Sequence, residues 1–366
     1  MILNKRLRSE IRRSGFTINQ VKTRLQYKDS RQDVTGLIVN KKANTKSEYW
    51  RTVRAQCHSL FTTGEFSETV NGEKILGNIN SLEGRLNFID HVDHYNRLRQ
   101  KPPLNPKYQP KKEAIKHNNA KNRRYLHSGR EDTFSKFLFY RLFYGNKQPT
   151  ILTEGKTDNL YLKSAIHMLA NRYPRLASPQ SASSPYTLQL RFLEYTERTR
   201  YLLELHGGTD YLKDFIRHYK THFNYYTAPN PVNPVIIFVD NDKGPKGLIS
   251  YVNSINGKTI VPSSVSDIRK SNFVHIFHNL YLVLTPQGSG GCMTDIEYFF
   301  KAPDRLRQYK GKCFNTIANR NEDTDLSKDS FARHVVLPNK SNIDFSGFNA
   351  LLDRIVEVIK HYDSIK

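Results

Sequence analysis

The chain has little cysteine: Cys57, Cys292 and Cys313 are the only three in 366 residues, widely spaced and with no C-x-x-C pair. That excludes a disulfide framework and a cysteine-type zinc site, and makes a reducing cytoplasm the expected location. Long hydrophobic runs are missing as well. No apolar stretch approaches the ~20 residues that cross a bilayer, and the start M-I-L-N-K-R-L-R lacks the apolar segment of a secretory leader, so a membrane is not an expected partner. Neither G-x-S-x-G nor G-x-x-x-x-G-K-[ST] occurs, which removes the nucleophile elbow and the phosphate-binding P-loop. Acidic residues are scarce. Against 34 Asp and Glu stand 57 Lys and Arg, a net charge of +23, and such an excess fits a polyanionic partner.

The charge is unevenly spread. Residues 1–150 hold 30 Lys and Arg against 13 Asp and Glu, an excess of 17, which makes the first half the expected nucleic-acid contact surface. A helix is expected over Leu3–Arg13, and a strand over Val34–Asn40 turning at Asn40-Lys41-Lys42. Thr45-x-x-Glu48 has the form of a capping box, and behind it Tyr49, Val53, Cys57, Leu60 and Phe61 recur at helical spacing. A second helix, capped at Asn80, carries the stripe Leu82, Leu86, Ile89 and Val92. From Arg99 to Arg130, ten Lys and Arg face one acid, and Pro102, Pro103, Pro106 and Pro110 oppose helix formation. A basic linker is expected there, followed by an aromatic helix, F-S-K-F-L-F-Y-R-L-F-Y.

Beyond Lys147, strand and helix patterns alternate: a strand at 150–154, a helix from Thr157, a Ser/Pro-rich insertion at 174–186, and strand-like runs at 187–193 and 201–206. A helix through Tyr219 follows, then a strand at 235–240, a helix from Gly247, a strand at 274–284 and a closing helix over Phe348–Tyr362. This alternation predicts a parallel sheet flanked by helices. Two of the strands end on acids, T-I-L-T-E-G-K-T-D and V-I-I-F-V-D-N-D-K-G. In open α/β sheets ligands sit beyond the carboxyl ends of the strands. Glu154, Asp158, Asp240 and Asp242 are therefore expected to share a crevice, and gathered carboxylates need cations. Mg²⁺ (or Mn²⁺) suits oxygen ligands that it shares with phosphate. Asp295 and Glu297, in T-D-I-E-Y-F-F, extend the set to one able to hold two ions roughly 4 Å apart. Lys328 is expected to neutralise charge that builds on a phosphoryl transition state. D-H-V-D-H at 90–94 and the pair His275/His278 are read as helix surface and as satisfied strand histidines.

On these residues the second domain resembles TOPRIM domains, especially those of overcoming-lysogenization-defect nucleases. That family shows a strand-end acid in E-G-x-[TS]-[DE], then D-x-D, then an acid pair resembling x-I-E, then a lysine. Glu154 and Asp158, Asp240 and Asp242, Asp295 and Glu297, and Lys328 occupy the matching places over roughly 148–366, with an insertion at 174–205. Before it, G-F-T-I-N-Q-V-K-T-R-L-Q-Y, V-T-G-L-I-V-N-K-K-A-N and Y-W-R-T-V-R-A-Q-C-H resemble the palm end and thumb of bacterial retron reverse transcriptases, a class that includes members with a TOPRIM domain fused behind the polymerase. Y-x-D-D, the metal-binding motif of such a polymerase, is absent from the 366 residues.

The resemblance implies a multidomain α+β protein of a bacterial cytoplasm. Residues 1–98 would form a mostly helical palm end and thumb, 99–147 a basic linker with the aromatic helix, and 148–366 a Rossmann-like α/β TOPRIM domain. It implies retron RNA and RNA-linked single-stranded DNA as partners, a role in phage defence, and an N-terminal polymerase half elsewhere that supplies the RNA-directed DNA polymerase centre. The expected activity is metal-dependent phosphodiester hydrolysis, with Glu154, Asp240, Asp242 and Lys328 catalytic. Lys41, Lys42, Lys46, Arg51 and Arg54 would meet phosphates, and Tyr49 and Trp50 would stack on bases. The alternatives are a non-catalytic scaffold for the RNA–DNA hybrid and, ranked last, a topoisomerase or primase role.

Overall fold

A computed structural model describes residues 4–21, 23, 26–99, 127–229, 231–315, 321 and 323–366. Residues 100–126, most of the expected basic linker, lie outside the described residues. The chain divides into two compact units, one of Met1–Cys57 with Ser67–Ala120 and one of His58–Phe66 with Lys121–Lys366.

The first unit combines very short strands with two long helices. Helix α1 (Lys5–Arg13) is capped by the Asn4 side chain and buries none of its residues. Strands β1 (Asp33–Val34), β2 (Leu37–Ile38) and β3 (Asn44–Thr45) form an antiparallel sheet. The single strand expected over Val34–Asn40 is thus a hairpin. Thr35 (φ 49°) and Gly36 (φ 86°) both turn left-handed, the geometry of a two-residue hairpin loop. Thr45 lies in β3 with its hydroxyl buried and, among the described residues, unbonded, so it does not cap α2, which begins at Ser47 and runs to Thr63. Strands β4 (Ser67–Val70) and β5 (Glu73–Leu76) form a second hairpin around Asn71-Gly72. Helix α3 (Ile79–Leu98) is capped at Asn78 instead of Asn80, and Leu82, Leu86, Ile89 and Val92 are all buried. Arg85 on α3 joins the parts, donating to Gln56 Oε1 (2.9 Å) and Glu68 Oε2 (3.0 Å).

The second unit is mixed α/β around one six-stranded sheet. Its elements run α4 (Gly129–Phe139), continued by a wider turn over Tyr140–Tyr144, then β6 (Thr150–Thr153), α5 (Lys156–Met168), β7 (Arg191–Phe192) and α6 (Glu197–Leu203). There follow α7 (Thr209–Phe223), β8 (Val235–Val239), α8 (Lys246–Asn253), β9 (Thr259–Val261), β10 (Phe273–Phe277), β11 (Leu280–Leu284) and α9 (Asn349–Ile365). The strand order is β9-β10-β11-β8-β6-β7. Strands β11, β8, β6 and β7 are parallel, whereas β9 and β10 add an antiparallel edge.

Strands β6, β8 and β11 are buried at every position, which parallel strands covered on both faces require. On one face Ile151, Ile236, Phe238, Tyr281 and Val283 join Leu162, Ile166, Leu352 and Ile355 of α5 and α9 in one core. Val235, Ile237 and Val239 point the other way and are buried just as fully. The aromatic segment expected before this domain belongs to its core. Phe139 and Phe143 pack on Phe215 of α7 at 6.2 and 4.9 Å between ring centroids.

Two expected strands are replaced. The run 201–206 holds the end of α6, capped by Thr196, and leaves it through Glu204 in the left-handed region (φ 60°). The run 274–284 is two strands, because the chain reverses at His278-Asn279 with Phe277 facing Leu280. His278 takes φ 52°, a conformation histidine tolerates. His275 Nε2 lies 2.8 Å from the His278 carbonyl across that turn.

Candidate active site

Strand register brings the acids together. Thr153 lies beside Phe238, and Val239 beside Leu284, so β6, β8 and β11 all end at one edge of the sheet. From β6 the chain passes through α5 to β7 on one side, while β8 lies on the other side. The crevice between β6 and β8 is therefore a topological switch point. Glu154 and Asp240 are the first residues beyond these two strands.

Glu154 is half-buried. Asp158 folds back in the first turn of α5 to accept the Gly155 N–H at 2.9 Å and is buried. Asp240 Oδ1 accepts the Ile296 N–H at 2.9 Å, tying the end of β8 to the later acid pair. Glu297 is fully buried, and its Oε2 accepts from Lys328 Nζ at 2.8 Å. Asp295 Oδ2 lies 3.7 Å from the same ammonium and, on its other oxygen, accepts the Tyr298 N–H at 3.0 Å. Lys328 is itself placed through its carbonyl, which accepts from the buried Tyr161 hydroxyl at 3.2 Å.

Beyond β8, at the position between Asp240 and Asp242, the chain enters an isolated antiparallel bridge. Asn241 is fully buried between them and exchanges backbone hydrogen bonds with Thr294 (2.9 and 3.2 Å). Its N–H also meets the Thr285 hydroxyl, and its side chain bonds the Thr285 and Arg269 carbonyls and the Arg269 guanidinium. Asp242 then curls to accept the Gly244 N–H at 2.8 Å. This clamp fixes the backbone between the two acids. Asn241, Thr285, Thr294 and Arg269 were not among the expected site residues, since their importance lies in contacts between positions far apart in sequence, 44 for Asn241 with Thr285.

The electrostatics follow from this packing. Burial, then Asp158 and Asp242, push the Glu154 carboxyl up to about 7 against the pull of Lys328. Burial and then Asp158 raise Asp240 to about 9, with Glu297 and Asp295 adding to the rise and Lys328 opposing it. Burial lifts Glu297 to about 7, partly offset by Lys328. Burial also raises Asp158, while the Gly155 N–H and Lys328 lower it. Lys328 is pulled down by burial, but Glu297 and then Asp240 and Asp295 outweigh this and hold it firmly charged. Asp158 and Lys328 act on both Glu154 and Asp240, so the seven side chains form one electrostatic cluster.

Oxygen donors alone, an excess of negative charge, and a Glu297 Oε1 that is buried without a hydrogen-bond partner among the described residues all fit a hard divalent cation. Among the described residues, no three His, Cys, Asp or Glu side chains sit close enough to enclose one ion. Mg²⁺ seldom has an all-protein cage, being held by one or two carboxylates with waters and substrate phosphate. The donor chemistry therefore fits, with Lys328 as the cation that the crevice carries of its own.

In the first unit, Lys41, Lys42, Arg51 and Arg54 are exposed. Lys46 is paired with Asp33 at 2.8 Å. Tyr49 is half-buried, its ring edge-on to Phe88 at 6.0 Å, and Trp50 is half-buried as well. Asp90 of the D-H-V-D-H run is buried and does not lie on the polar face expected for it. Among the described residues no helix is long and apolar enough to cross a membrane. No protein-family model matches the chain, and no solved structure matches it.

Proposed function

We propose that the second unit is a metal-dependent phosphodiesterase of the TOPRIM type, and that the whole chain is the thumb-and-effector part of a retron reverse transcriptase. The observation that carries the first reading is the gathering of Glu154, Asp158, Asp240, Asp242, Asp295, Glu297 and Lys328 at the switch point of a mostly parallel sheet. Asp240 and Glu297, whose segments are tied by the Asp240–Ile296 hydrogen bond, would hold Mg²⁺ or Mn²⁺ together with waters and substrate phosphate. When bound, such an ion polarises a phosphoryl oxygen and makes water more acidic.

The protein's own groups have distinct parts in that reading. Glu154, held near neutrality, accepts the proton of a water that attacks phosphorus as the P–O ester bond breaks. The Lys328 ammonium, 2.8 Å from Glu297, donates to oxygen carrying the developing negative charge. The buried clamp of Asn241, Thr285 and Thr294 keeps Asp240 turned toward the Asp295–Glu297 segment. Exposed Lys41, Lys42, Arg51 and Arg54 supply phosphate contacts for retron RNA and RNA-linked single-stranded DNA.

The test is incubation of the purified chain with plasmid, single-stranded DNA and RNA, with Mg²⁺ or Mn²⁺ and with EDTA. Cleavage that needs metal and falls at least about 10³-fold in Glu154→Ala and Asp240→Ala supports the reading. A second reading, a non-catalytic scaffold for the RNA–DNA hybrid, is favoured by one observation: Lys328 occupies the crevice as its counter-ion, and no three acids there enclose a common point. Tight binding without cleavage of any substrate, equal in wild type and variants, would select it.

A further inference from the structure

A cavity of about 670 Å³ lies along one face of α5, and none of the seven crevice side chains lines it. The volume is within the range of small-molecule sites. Its walls come from three places: α5 itself, the 186–196 stretch of the insertion, and residues 333–340. The insertion is the part of the second domain for which the proposed function has no use.

The lining combines two chemistries. Leu160, Leu188 and Leu337 give apolar walls, and Tyr186 adds a half-buried ring standing edge-on to His167 at 4.5 Å. Four cations, Lys156, Lys163, Arg333 and Lys340, also face the cavity, against Glu194 as the one acid of its lining. Glu194 pairs with Lys163 at 3.1 Å. Arg333 is paired with Asp329, which does not line the cavity. Lys340 Nζ lies 3.2 Å from His167 Nδ1, a neutral partner that leaves its charge uncompensated. Lys156, the first residue of α5, is exposed and, among the described residues, has no acid paired with it. Apolar walls with a ring on one side and surplus positive charge at the rim match a flat, uncharged ring system that carries a phosphate.

We propose that this cavity is a second ligand site, which binds a nucleoside phosphate. The base would lie between Tyr186 and the leucines, and the phosphate would meet Lys156, Lys340 and Arg333. Such a ligand has two sources, a free nucleotide or the phosphorylated end of a nucleic-acid strand. The inference is independent of cleavage at the carboxylate crevice, because binding is read in EDTA.

Isothermal titration of the full chain in EDTA tests it, with AMP, adenosine, inorganic phosphate and a 5′-phosphorylated oligonucleotide as probes. AMP is expected to bind at least about tenfold more tightly than either adenosine or inorganic phosphate. Lys340→Ala should weaken AMP at least about tenfold through charge. Leu337→Trp, at a position 49% exposed, narrows the cavity without altering charge and should weaken it as much. An oligonucleotide that outcompetes AMP names a strand end as the source, and the reverse order names a free nucleotide. Inorganic phosphate binding as well as AMP overturns the proposal, as does AMP binding unchanged in Leu337→Trp. An unaltered melting temperature in both variants separates loss of the site from loss of the fold.

Discussion

The two units handle charge in opposite ways. In the first, strands are two to four residues long, α1 buries nothing, and the cations Lys41, Lys42, Arg51 and Arg54 stand in solvent. In the second, three neighbouring strands are wholly buried, and acids crowd at their ends, where burial raises Glu154, Asp240 and Glu297 well above the usual carboxylate range. Exposed charge costs a fold little and gives long-range attraction to polyanions. Buried like charge costs a great deal, and only a rigid, well-packed frame sustains it. This difference is what the proposed function draws on, with the reaction in the second unit and the polyanion contacts in the first.

The sharpest way to break this contrast is through pH. The Asp240 carboxyl sits at about 9 in the fold, against 3.8 for an ordinary aspartate. Between these values the unfolded chain is ionised while the folded one keeps its proton. Stability from this group is thus fullest at low pH and is lost as pH rises toward 9. At roughly 1.4 kcal/mol per unit, the upper limit between pH 5 and 8 is about 4 kcal/mol. Chemical denaturation in EDTA should show wild type losing stability over that range relative to Asp240→Asn, and Mg²⁺ should shrink the difference. Parallel pH curves for the two proteins would mean that Asp240 is not strained.

Backbone tolerance gives a second, smaller contrast. A Cβ at Gly347 would overlap the Phe299 carbonyl, which is backbone within the second unit and cannot swing aside. Gly347→Ala should cost about 3 kcal/mol, at the level of core overpacking. At Gly36 in the first unit a Cβ meets open space and the only penalty is φ of 86°, so Gly36→Ala should cost about 1–2 kcal/mol. Melting of both variants by circular dichroism checks the order. Equal losses would show the first unit to be as tightly built as the second.

The same contrast governs what could be read from sequence. Buried parallel strands announce themselves as apolar runs, so that Glu154 and Asp240 follow strands was legible in T-I-L-T-E and V-I-I-F-V-D. The α3 stripe was legible for the same reason, since periodic burial leaves a periodic trace. Reversals that use no glycine or proline left none. His278-Asn279 turns β10 into β11 with ordinary strand-like neighbours, and Glu204 ends α6 in a stretch rich in β-prone residues. Contacts distant in sequence were legible only through the family pattern. It named Lys328 and Glu297, a 2.8 Å pair 31 positions apart, but gave no sign of the Asn241 clamp, which reaches across 44 to Thr285.

The smallest effect on the fold, and the most telling for the first unit, concerns Arg51 and Arg54. Both are exposed on α2 three residues apart, so they share one face and can meet successive phosphates. Replacing both by Glu should leave stability within about 0.5 kcal/mol, because neither side chain supports the core. Each lost phosphate contact removes close to one unit from the slope of log affinity against log salt. The double variant should therefore lower that slope by about 2 in a filter-binding titration with structured RNA. A slope unchanged in Arg51→Glu/Arg54→Glu would take α2 out of the interface, and would leave the positive charge of the first unit as solubility alone.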